Sequence, residues 1–514
     1  MVSPVIPPAR SRRNAGAAPV WLPIGFRGRS LPGSGGGADA MNNSINEFTV
    51  WQAPSWGSVI AIKLVYPGFD FTNCGIIDKG VTGTVSASLW QPTQGTFSWT
   101  VGSAGAASGA TSIPLALGAA TPCNIVTAGM MVSNGASTTG IPAGTCVTGV
   151  APVYNTSTGN LTSLNVLINQ PTTAALTSTS NLTFAGLCTQ ATWGQARTFA
   201  LFPRRDFYVS DSIPCCLATG SFFGVRTYAS FTATAGSAGT LGLADCPSAA
   251  ARLAIGSYTE WSTRSTGLAD ATMAPIGQGA NNGAGFALPP VMILGLVADT
   301  APHGAVVVVG DSIAHGFGDT TPDSGGRFGY IQRALANNVP WVGFTRGSTT
   351  ALQMNYDTRP IQRLVELSSA TDVILEYCRN DIFSGISPSN VVVYLQNIAA
   401  PLLGAGCRVW ICTSPPWTSS TDSWATTGNQ TIMNTGYEAN RKTYNANVAA
   451  NWQSLGFSGL IDVAGVVEYG GRNSSGLWRA DGGAWTADGV HPTSLGHNAL
   501  ISAGVVPVSS FVPL

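Results

Sequence analysis

Two segments in the C-terminal part of the chain carry side chains whose types and spacing could support nucleophilic catalysis. The first, Gly-Asp-Ser-Ile at positions 310–313, follows an apolar run and places the Ser312 hydroxyl on a tight turn. A serine hydroxyl attacks a carbonyl carbon only when a base removes its proton. The second, Asp-Gly-Val-His-Pro at 488–492, offers that base. On a turn, Asp488 can accept a hydrogen bond from one ring nitrogen of His491 while the other nitrogen faces Ser312.

Other interpretations of these two segments stay open. His315 lies one turn after Ser312 and is a rival base, although no carboxylate stands at a similarly short spacing on a turn to orient it. A Gly-Asp-Ser triplet also arises by chance in a chain rich in Gly and Ser. His491 alone could be an ordinary loop histidine with an exposed aspartate beside it. Each segment alone is therefore weak evidence for a catalytic site, and the two together are stronger evidence.

Acyl transfer also needs hydrogen-bond donors for the negative oxygen of the tetrahedral intermediate. Gly347 follows the strand-like run from Trp341 to Phe344, and without a Cβ it lets its backbone N–H approach a substrate closely. Asn380 follows the apolar run that starts at Val373, and its side-chain amide is a neutral donor. A turn glycine and a capping asparagine are the alternative roles, since both types are common in turns.

The four blocks, in this order, resemble the SGNH (GDSL-type) serine hydrolases over roughly residues 303–505. The resemblance implies a flavodoxin-like three-layer α/β fold and a serine esterase. It implies Ser312 as nucleophile, His491 as base and Asp488 as orienting acid. The implied oxyanion donors are the N–H groups of Ser312 and Gly347 and the amide of Asn380.

One position departs from the family pattern. The block with Asn380 usually opens with Gly, where this chain has Cys378. The loop at this position therefore need not have the shape that it has in the family, and the cysteine adds a thiol close to the site. Cys378 is an alternative nucleophile, although no histidine is near it in sequence.

The elements that must position these residues alternate between strand and helix over 300–514. Continuous apolar runs are typical of strands buried on both faces of a parallel sheet, with helices covering both sides. The predicted strands are Val306 to Val309, Trp341 to Phe344, Val373 to Tyr377 and Val409 to Cys412. The predicted helices are Phe328 to Ala336, Val391 to Leu403, Gln430 to Leu455 and Ser494 to Ala503, the last including His497.

Two cysteines provide a test of the strand register. Cys378 and Cys412 each close an apolar run that we assign to neighbouring strands about 4.8 Å apart. We therefore expect their sulfurs to be close, either as two buried thiols or as a disulfide. A disulfide also requires suitably directed Cβ atoms, which strand neighbours often lack.

The N-terminal part has a different pattern. Residues 1–46 predict a disordered tail, although a secretory segment over Ala15 to Phe26 and a start at Met41 are alternatives. Short strands between turn residues over 47–290 predict a β-sandwich. Within it, the nearly uncharged stretch 102–186 is typical of an inserted β-module, with a long loop as the alternative. Four tryptophans could stack on sugars, although core packing is the more ordinary role. They are Trp51, Trp56, Trp90 and Trp99.

Composition narrows the class of protein. The 514 residues include 24 Lys+Arg and 24 Asp+Glu, so the formal net charge is zero. A neutral chain has no overall field to attract nucleic acid, and no apolar stretch approaches the roughly 20 residues of a spanning helix. The ten cysteines have no zinc-ligand spacing, so we expect no metal and no cofactor. The cysteines could instead form disulfides in an oxidising compartment.

These observations predict a serine esterase that removes O-acetyl groups from a polysaccharide, at an extracellular site or on a cell or virion surface. A short-chain lipid, an aryl ester or a polyester is an alternative substrate. A different class is also open, because the Gly/Thr-rich insertion is similar to phage-tail or surface carbohydrate-binding modules, in which the hydrolase could be degenerate. Oligomeric state and disulfide pairing do not follow from the sequence.

Overall fold

A computed structural model gives the structure of the chain. It describes residues 304–336 and 338–511 and, before them, 20–24, 33–39, 44–72, 75–78, 81–91, 97–116, 126, 130–134, 139–142, 145, 147–154, 157, 161–201, 206–233, 241–245, 254–255, 258–265, 267–270, 272, 286–287 and 289–297.

The N-terminal region is built from β-strands, most of them antiparallel. In chain order they are β1 (Val20–Pro23), β2 (Gly33–Asp39), β3 (Ser44–Gln52), β4 (Val59–Pro67), β5 (Phe69–Thr72), β6 (Gly75–Asp78), β7 (Val81–Gln91), β8 (Phe97–Thr100), β9 (Ser112–Leu115), β10 (Met130–Ser133), β11 (Val147–Tyr154), β12 (Leu161–Ile168), β13 (Asn181–Gln190), β14 (Phe199–Leu201), β15 (Phe207–Val209), β16 (Ile213–Leu217), β17 (Phe222–Ala233), β18 (Leu241–Asp245), β19 (Ala254–Ile255), β20 (Tyr258–Thr259), β21 (Trp261–Ser265), β22 (Phe286–Ala287) and β23 (Met292–Val297).

Two of the sheets enclose one apolar core. One sheet has the order β1-β23-β4-β15 with β16 also on β4, and the other has the order β10-β13-β7-β17-β3-β21. Inward-facing residues such as Ile62 and Leu89 are fully buried in that core. Trp51 and Trp90 are also buried, at 1% and 5% exposure, so these two tryptophans pack inside rather than forming a sugar-binding surface.

The predicted disordered tail over 1–46 is wrong where the structure describes it. β1 pairs with β23, and Leu22 is buried in the shared core. The apolar run from Val20 gives this segment enough side-chain area to bury when it adds to the sheet edge.

The stretch 102–186 contains strands of its own. β9, β11 and β12 form a three-stranded antiparallel sheet. Their apolar residues share a cluster with β10 and β13, which belong to the sheet with the order β10-β13-β7-β17-β3-β21. β13 continues to Gln190, past the predicted end of the insertion. The stretch is therefore packed onto the N-terminal region through a common strand.

The C-terminal part alternates strands and helices. Its elements are β24 (Ala305–Gly310), α1 (Ser312–His315), α2 (Gly329–Leu335), β25 (Trp341–Thr345), α3 (Ala351–Tyr356), α4 (Arg359–Ser368), β26 (Ala370–Glu376), α5 (Arg379–Phe383), α6 (Pro388–Gly404), β27 (Arg408–Cys412), β28 (Thr418–Ser420), β29 (Gln430–Ile432), α7 (Thr435–Asn451), β30 (Gly459–Ile461), α8 (Val463–Val467), α9 (Ser494–Ser502) and α10 (Val508–Phe511). The start of the predicted helix at Gln430 is wrong, because Gln430–Ile432 pairs with β28 and the helix begins at Thr435.

The central sheet has the parallel order β25-β24-β26-β27-β30, which is the flavodoxin-like order. Alternate residues of β24 point to opposite faces. Val307 and Val309 pack with α4, α6 and α7, whereas Val306 and Val308 pack with α2, α8 and α9. The first cluster also takes in residues of the N-terminal region, including Phe69, whose ring lies 6.0 Å from that of Phe344. The domain therefore has the three layers that the sequence predicts.

The predicted closeness of the Cys378 and Cys412 sulfurs is wrong. Leu375 pairs with Ile411, so Cys412 is level with Glu376, the last residue of β26. Cys412 packs on one face of the sheet and Cys378 on the other. Both are free thiols, as are the other four described cysteines, while the remaining cysteines lie outside the described residues. The predicted register was therefore off by two residues, and Cys378 lies beyond the end of the strand, where a φ of +129° turns the chain and brings its side chain to the opposite face.

Candidate active site

Ser312 begins α1 immediately after β24, where its side chain is half-buried. The buried Asp311 caps the helix, because its Oδ1 accepts a hydrogen bond from the Ile313 N–H at 2.8 Å. Gly310 is required at the turn, since a Cβ there would lie 2.5 Å from the Ala314 Cβ and 2.7 Å from the Glu376 carbonyl oxygen. The local sequence thus fixes the position of the serine hydroxyl at the carboxyl edge of the sheet.

The Ser312 hydroxyl meets His491 across 179 residues of sequence. Its Oγ lies 2.8 Å from the His491 Nε2, and the His491 Nδ1 lies 2.6 Å from the Asp488 Oδ2. Partial burial raises the pKa of Asp488. Hydrogen bonds from the His491 side chain and from the N–H groups of His491 and Val490 outweigh burial and hold that pKa below its ordinary range. Asp488 is therefore ionised at neutral pH and orients the imidazole, as the spacing in the sequence predicts.

The loop that carries His491 is held from several sides. The Gly489 carbonyl accepts hydrogen bonds from the Thr418 N–H at 3.2 Å and from the Trp478 indole N–H at 3.0 Å. Gly489 has a φ of +76° and its Cβ would collide with the Thr418 carbonyl oxygen, so only glycine fits. The Phe317 ring, 57% exposed, packs edge-on to the imidazole with ring centroids 4.6 Å apart. The sequence gives no signal for this contact.

Gly347 lies next to the serine. A Cβ built on it would be 3.8 Å from the Ser312 Cβ, and apart from the adjoining residues no other described residue has an atom within 4 Å of that point. Within the described part of the chain, the N–H groups of Ser312 and Gly347 donate no hydrogen bond. Two neighbouring residues, one of them the serine itself, therefore each have a backbone N–H that is available to an oxyanion.

Asn380 lies in the first turn of α5, as part of the same cluster. Its amide nitrogen donates to the Asp311 Oδ2 and to the Thr349 carbonyl oxygen, each at 3.0 Å. Both N–H groups of the amide are therefore engaged, so donation to an oxyanion would require one of these bonds to be exchanged. The direct role visible here is to connect the loop that carries Ser312 with the loop that carries Gly347.

Three buried carboxyl groups support this arrangement, and sequence reasoning gave them no role. Asp381 of α5 accepts from the Ala351 and Leu352 N–H groups at 2.9 and 3.1 Å and so binds the first turn of α3. Burial raises its pKa to about 6, against the effect of those hydrogen bonds. Burial also raises the pKa of Asp311 and Glu376, and the nearby charge of Asp311 raises that of Glu376 further. Glu376 is therefore the protonated member of the pair.

The structure also shows where the alternative nucleophile, Cys378, and the alternative base, His315, lie. Cys378 is fully buried, and burial raises the pKa of its thiol well above the ordinary value, so it does not supply a thiolate nucleophile. Its φ of +129° is one that glycine adopts easily, which explains the glycine of the family pattern. His315 ends α1 with its Nδ1 3.4 Å from the Thr345 hydroxyl. The histidine that contacts Ser312 is His491.

Comparison with known proteins finds one family and several solved structures that are similar to the C-terminal part of the chain. Residues 308–499 match the model of the GDSL-like lipase/acylhydrolase family. No curated protein matches the chain. Similar solved structures include a GDSL-like lipase from Bacteroides thetaiotaomicron (14% identity, 40% of this chain and 88% of that chain, TM-score 0.29). They also include an M. smegmatis aryl esterase (15% identity, 40% of this chain and 99% of that chain, TM-score 0.29). A third is a psychrotrophic esterase from a Pseudoalteromonas species (10% identity, 40% of this chain and 97% of that chain, TM-score 0.28).

The three-layer fold, the family match and the serine-histidine contact define an ester hydrolase. In particular, residues 308–499 form a domain that matches the GDSL-like lipase/acylhydrolase family model. The N-terminal β-rich region lies outside that match and is consistent with a separate module. No helix in the described part is long and apolar enough to cross a membrane.

Proposed function

We propose that Ser312, His491 and Asp488 act as a catalytic triad that hydrolyses carboxylic esters through an acyl-enzyme. The observation that carries the proposal is the unbroken chain of hydrogen bonds from the serine hydroxyl through the imidazole to an ionised carboxylate. The alternative of a carbohydrate-binding protein with a degenerate hydrolase is disfavoured, because a degenerate site has no need to preserve both contacts.

The proposed reaction has two halves. In the first, the Ser312 oxygen attacks the ester carbonyl carbon and the His491 Nε2 takes the serine proton. The N–H groups of Ser312 and Gly347 stabilise the oxyanion, with the Asn380 amide as the third donor that the family resemblance implies. The intermediate collapses to the acyl-enzyme, and the leaving alcohol takes the proton from His491. In the second half, water gives a proton to His491 and attacks the acyl carbon. The bond to the Ser312 oxygen then breaks, the acid is released, and His491 returns the proton to the serine oxygen.

The proposed substrate is an O-acetylated polysaccharide. Two of the exposed aromatic side chains of the domain belong to the elements around the site: Phe317, 57% exposed, packs against His491, and Phe383, 52% exposed, ends the helix that carries Asn380. Exposed rings beside a half-buried serine suit a sugar polymer that lies along the surface, because sugar rings stack on aromatic faces. Short-chain lipid, aryl and polyester substrates remain alternatives. Since O-acetylated polysaccharides of this kind lie outside cells, we propose an extracellular, cell-surface or virion-surface location.

The proposed reaction calls for no cofactor or metal, because the nucleophile, the base and the backbone oxyanion donors are all groups of the chain itself. Among the described residues, no cluster of three or more His, Cys, Asp or Glu side chains could hold a metal ion.

The test compares the wild-type protein with Ser312→Ala. We expect the wild type to hydrolyse p-nitrophenyl acetate and to release acetate from acetylated polysaccharides, and we expect kcat/KM of the variant to fall at least about a thousandfold on both. Acetate release from the polymer, measured beside the hydrolysis of longer p-nitrophenyl esters, separates a deacetylase from a lipid esterase. A variant that retains wild-type activity on p-nitrophenyl acetate would contradict the proposed nucleophile.

A further inference from the structure

An open pocket beside Asn380 is not used by the proposed reaction. It is bounded by Arg379 of α5, Trp417 of the loop after β27, and Tyr437, Glu438 and Arg441 of α7. The pocket contains two arginines that differ in their environment, and that difference indicates what it can bind.

Arg441 is fully neutralised. Its guanidinium donates to both oxygens of Glu438 at 2.6 and 2.8 Å, to Glu468 at 3.0 Å and to the Ser414 carbonyl oxygen at 2.9 Å. Two buried carboxylates therefore face one buried cation on this side of the pocket. Four of the five N–H groups of Arg441 are therefore engaged and its charge is balanced, so it is the weaker anion-binding group of the two.

Arg379 is the opposite case. It is 92% buried, yet within the described part of the chain its guanidinium makes no hydrogen bond and no ion pair. Its Nε–H is buried without an acceptor, and the group stacks on the Trp417 ring at 4.6 Å. Burial lowers the pKa of Arg379 to about 10, so the side chain still carries a charge at neutral pH. A buried donor without an acceptor costs free energy unless a ligand supplies one.

The pocket borders the proposed catalytic triad. Arg379 precedes Asn380 in sequence, and its charge acts on Asp311 and Asp488. Trp417 precedes Thr418, whose N–H binds the Gly489 carbonyl in the loop that carries His491. A ligand on Arg379 would therefore lie next to an ester bound at Ser312.

The wall of the pocket is aromatic. The rings of Trp417 and Tyr437 are nearly parallel, at 12° and 5.8 Å between centroids, and Phe383 packs edge-on against Trp417 at 4.9 Å. Phe383 is 52% exposed and Trp417 and Tyr437 are half-buried, so faces and edges of this cluster are open to solvent. A planar cation beside exposed rings can bind a carboxylate through two parallel N–H bonds while a ring stacks alongside.

We propose that Arg379, with the aromatic cluster of Phe383, Trp417 and Tyr437, binds the carboxylate of a uronic acid unit next to the acylated sugar. The substrate is then an acidic polysaccharide. This inference rests on the proposed esterase function for its place beside the ester, but the binding itself needs no hydrolysis.

The decisive experiment is calorimetric titration of the full-length wild-type protein with tetragalacturonate, which carries no ester, and with the same oligosaccharide after reduction of its carboxyl groups. We expect reduction to weaken binding at least tenfold. Arg379→Gln should weaken binding of the acidic form by a similar factor. Arg379→Lys keeps the charge without the planar fork, so we expect an intermediate loss. Arg479→Gln is the matched control, because Arg479 also stacks on a tryptophan, Trp485 at 4.5 Å, but is paired with Asp481.

Equal binding of the acidic and reduced oligosaccharides, or no binding of either at millimolar concentration, would overturn the proposal without any variant. A loss in Arg479→Gln as large as that in Arg379→Gln would also overturn it. Failure of the esterase function is distinguishable, because it appears as absent hydrolysis of p-nitrophenyl acetate by the wild type. A second readout is the ratio of kcat/KM on an acetylated acidic polymer to that on its carboxyl-reduced form, which should fall at least tenfold in Arg379→Gln.

Discussion

Replacing Asp488 by Asn tests the orienting carboxylate with little change of shape. The Asp488 Oδ1 accepts from the N–H groups of Val490 and His491 at 2.8 Å each, while the Oδ2 binds the His491 ring. An Asn that keeps the two backbone bonds turns its NH2 group toward the Nδ1. That contact favours the tautomer with the proton on the Nε2, which cannot accept the serine proton. An Asn that turns the other way gives up the backbone bonds instead, each contributing about 1 kcal/mol.

The variant also loses the charge that stabilises the imidazolium. At a charge separation of about 4 Å, the attraction is about 4 kcal/mol at an effective dielectric constant of 20 and about 1 kcal/mol in bulk water. The Asp488 side chain is 46% exposed, so the value lies between these limits. With about 1 kcal/mol for the hydrogen bonds, the barrier rises by about 2 to 5 kcal/mol. We therefore expect kcat to fall roughly 30- to 5,000-fold, since each 1.36 kcal/mol is a factor of about ten.

The assay is steady-state hydrolysis of p-nitrophenyl acetate. KM should change little, because the carboxylate acts through His491 and does not touch the ester. Asp481→Asn is a matched control, since Asp481 is an exposed aspartate earlier in the same segment and pairs with Arg479. Its kcat should equal that of the wild type. A loss below threefold in Asp488→Asn, or an equal loss in Asp481→Asn, would refute the reasoning.

Three further predictions concern stability, packing and metal. Burial lowers the pKa of His497 to about 4 from its ordinary 6.5. The unfolded chain therefore takes up this proton first as the pH falls, and about 3 kcal/mol of stability, present above pH 6.5, should be lost between pH 6.5 and 4. The free energy of unfolding, measured in urea at both pH values, should fall less in His497→Gln than in the wild type. An equal fall in the two proteins would contradict the role of His497. Phe317→Ala should lower kcat/KM about two- to tenfold by removing the ring packed on His491, whereas an unchanged value would mean that the contact positions nothing. Activity on p-nitrophenyl acetate should survive dialysis against EDTA, and activity that is lost and then restored by zinc or calcium at constant thermal stability would contradict the metal-free reaction.

The parallel sheet and the serine-histidine contact could be predicted because they depend on local signals. Every residue from Val306 to Val309 is apolar. A strand needs apolar residues on both faces only when both faces are covered by other elements. A glycine before Ser312 and an aspartate three residues before His491 are short-range features that can be read without knowing the fold.

The errors come from interactions between segments distant in sequence. The register error at Cys412 arose because β26 ends at Glu376, and the strand end depends on pairing with β27. The helix boundary near Gln430 was missed for the same reason, since that residue pairs with β28. The isolated guanidinium of Arg379 could not be predicted either, because it depends on which acceptors the fold brings near.

Covalent labelling of Ser312 tests the central claim most directly. Diethyl p-nitrophenyl phosphate should react once per chain, release one equivalent of p-nitrophenol and leave a diethylphosphoryl group that peptide mass spectrometry assigns to Ser312. The same treatment of His491→Ala should give labelling at least a hundredfold slower, because the base that activates the hydroxyl is gone. Full loss of esterase activity with the label on any other residue, or an unlabelled Ser312 in inactivated protein, would contradict the account.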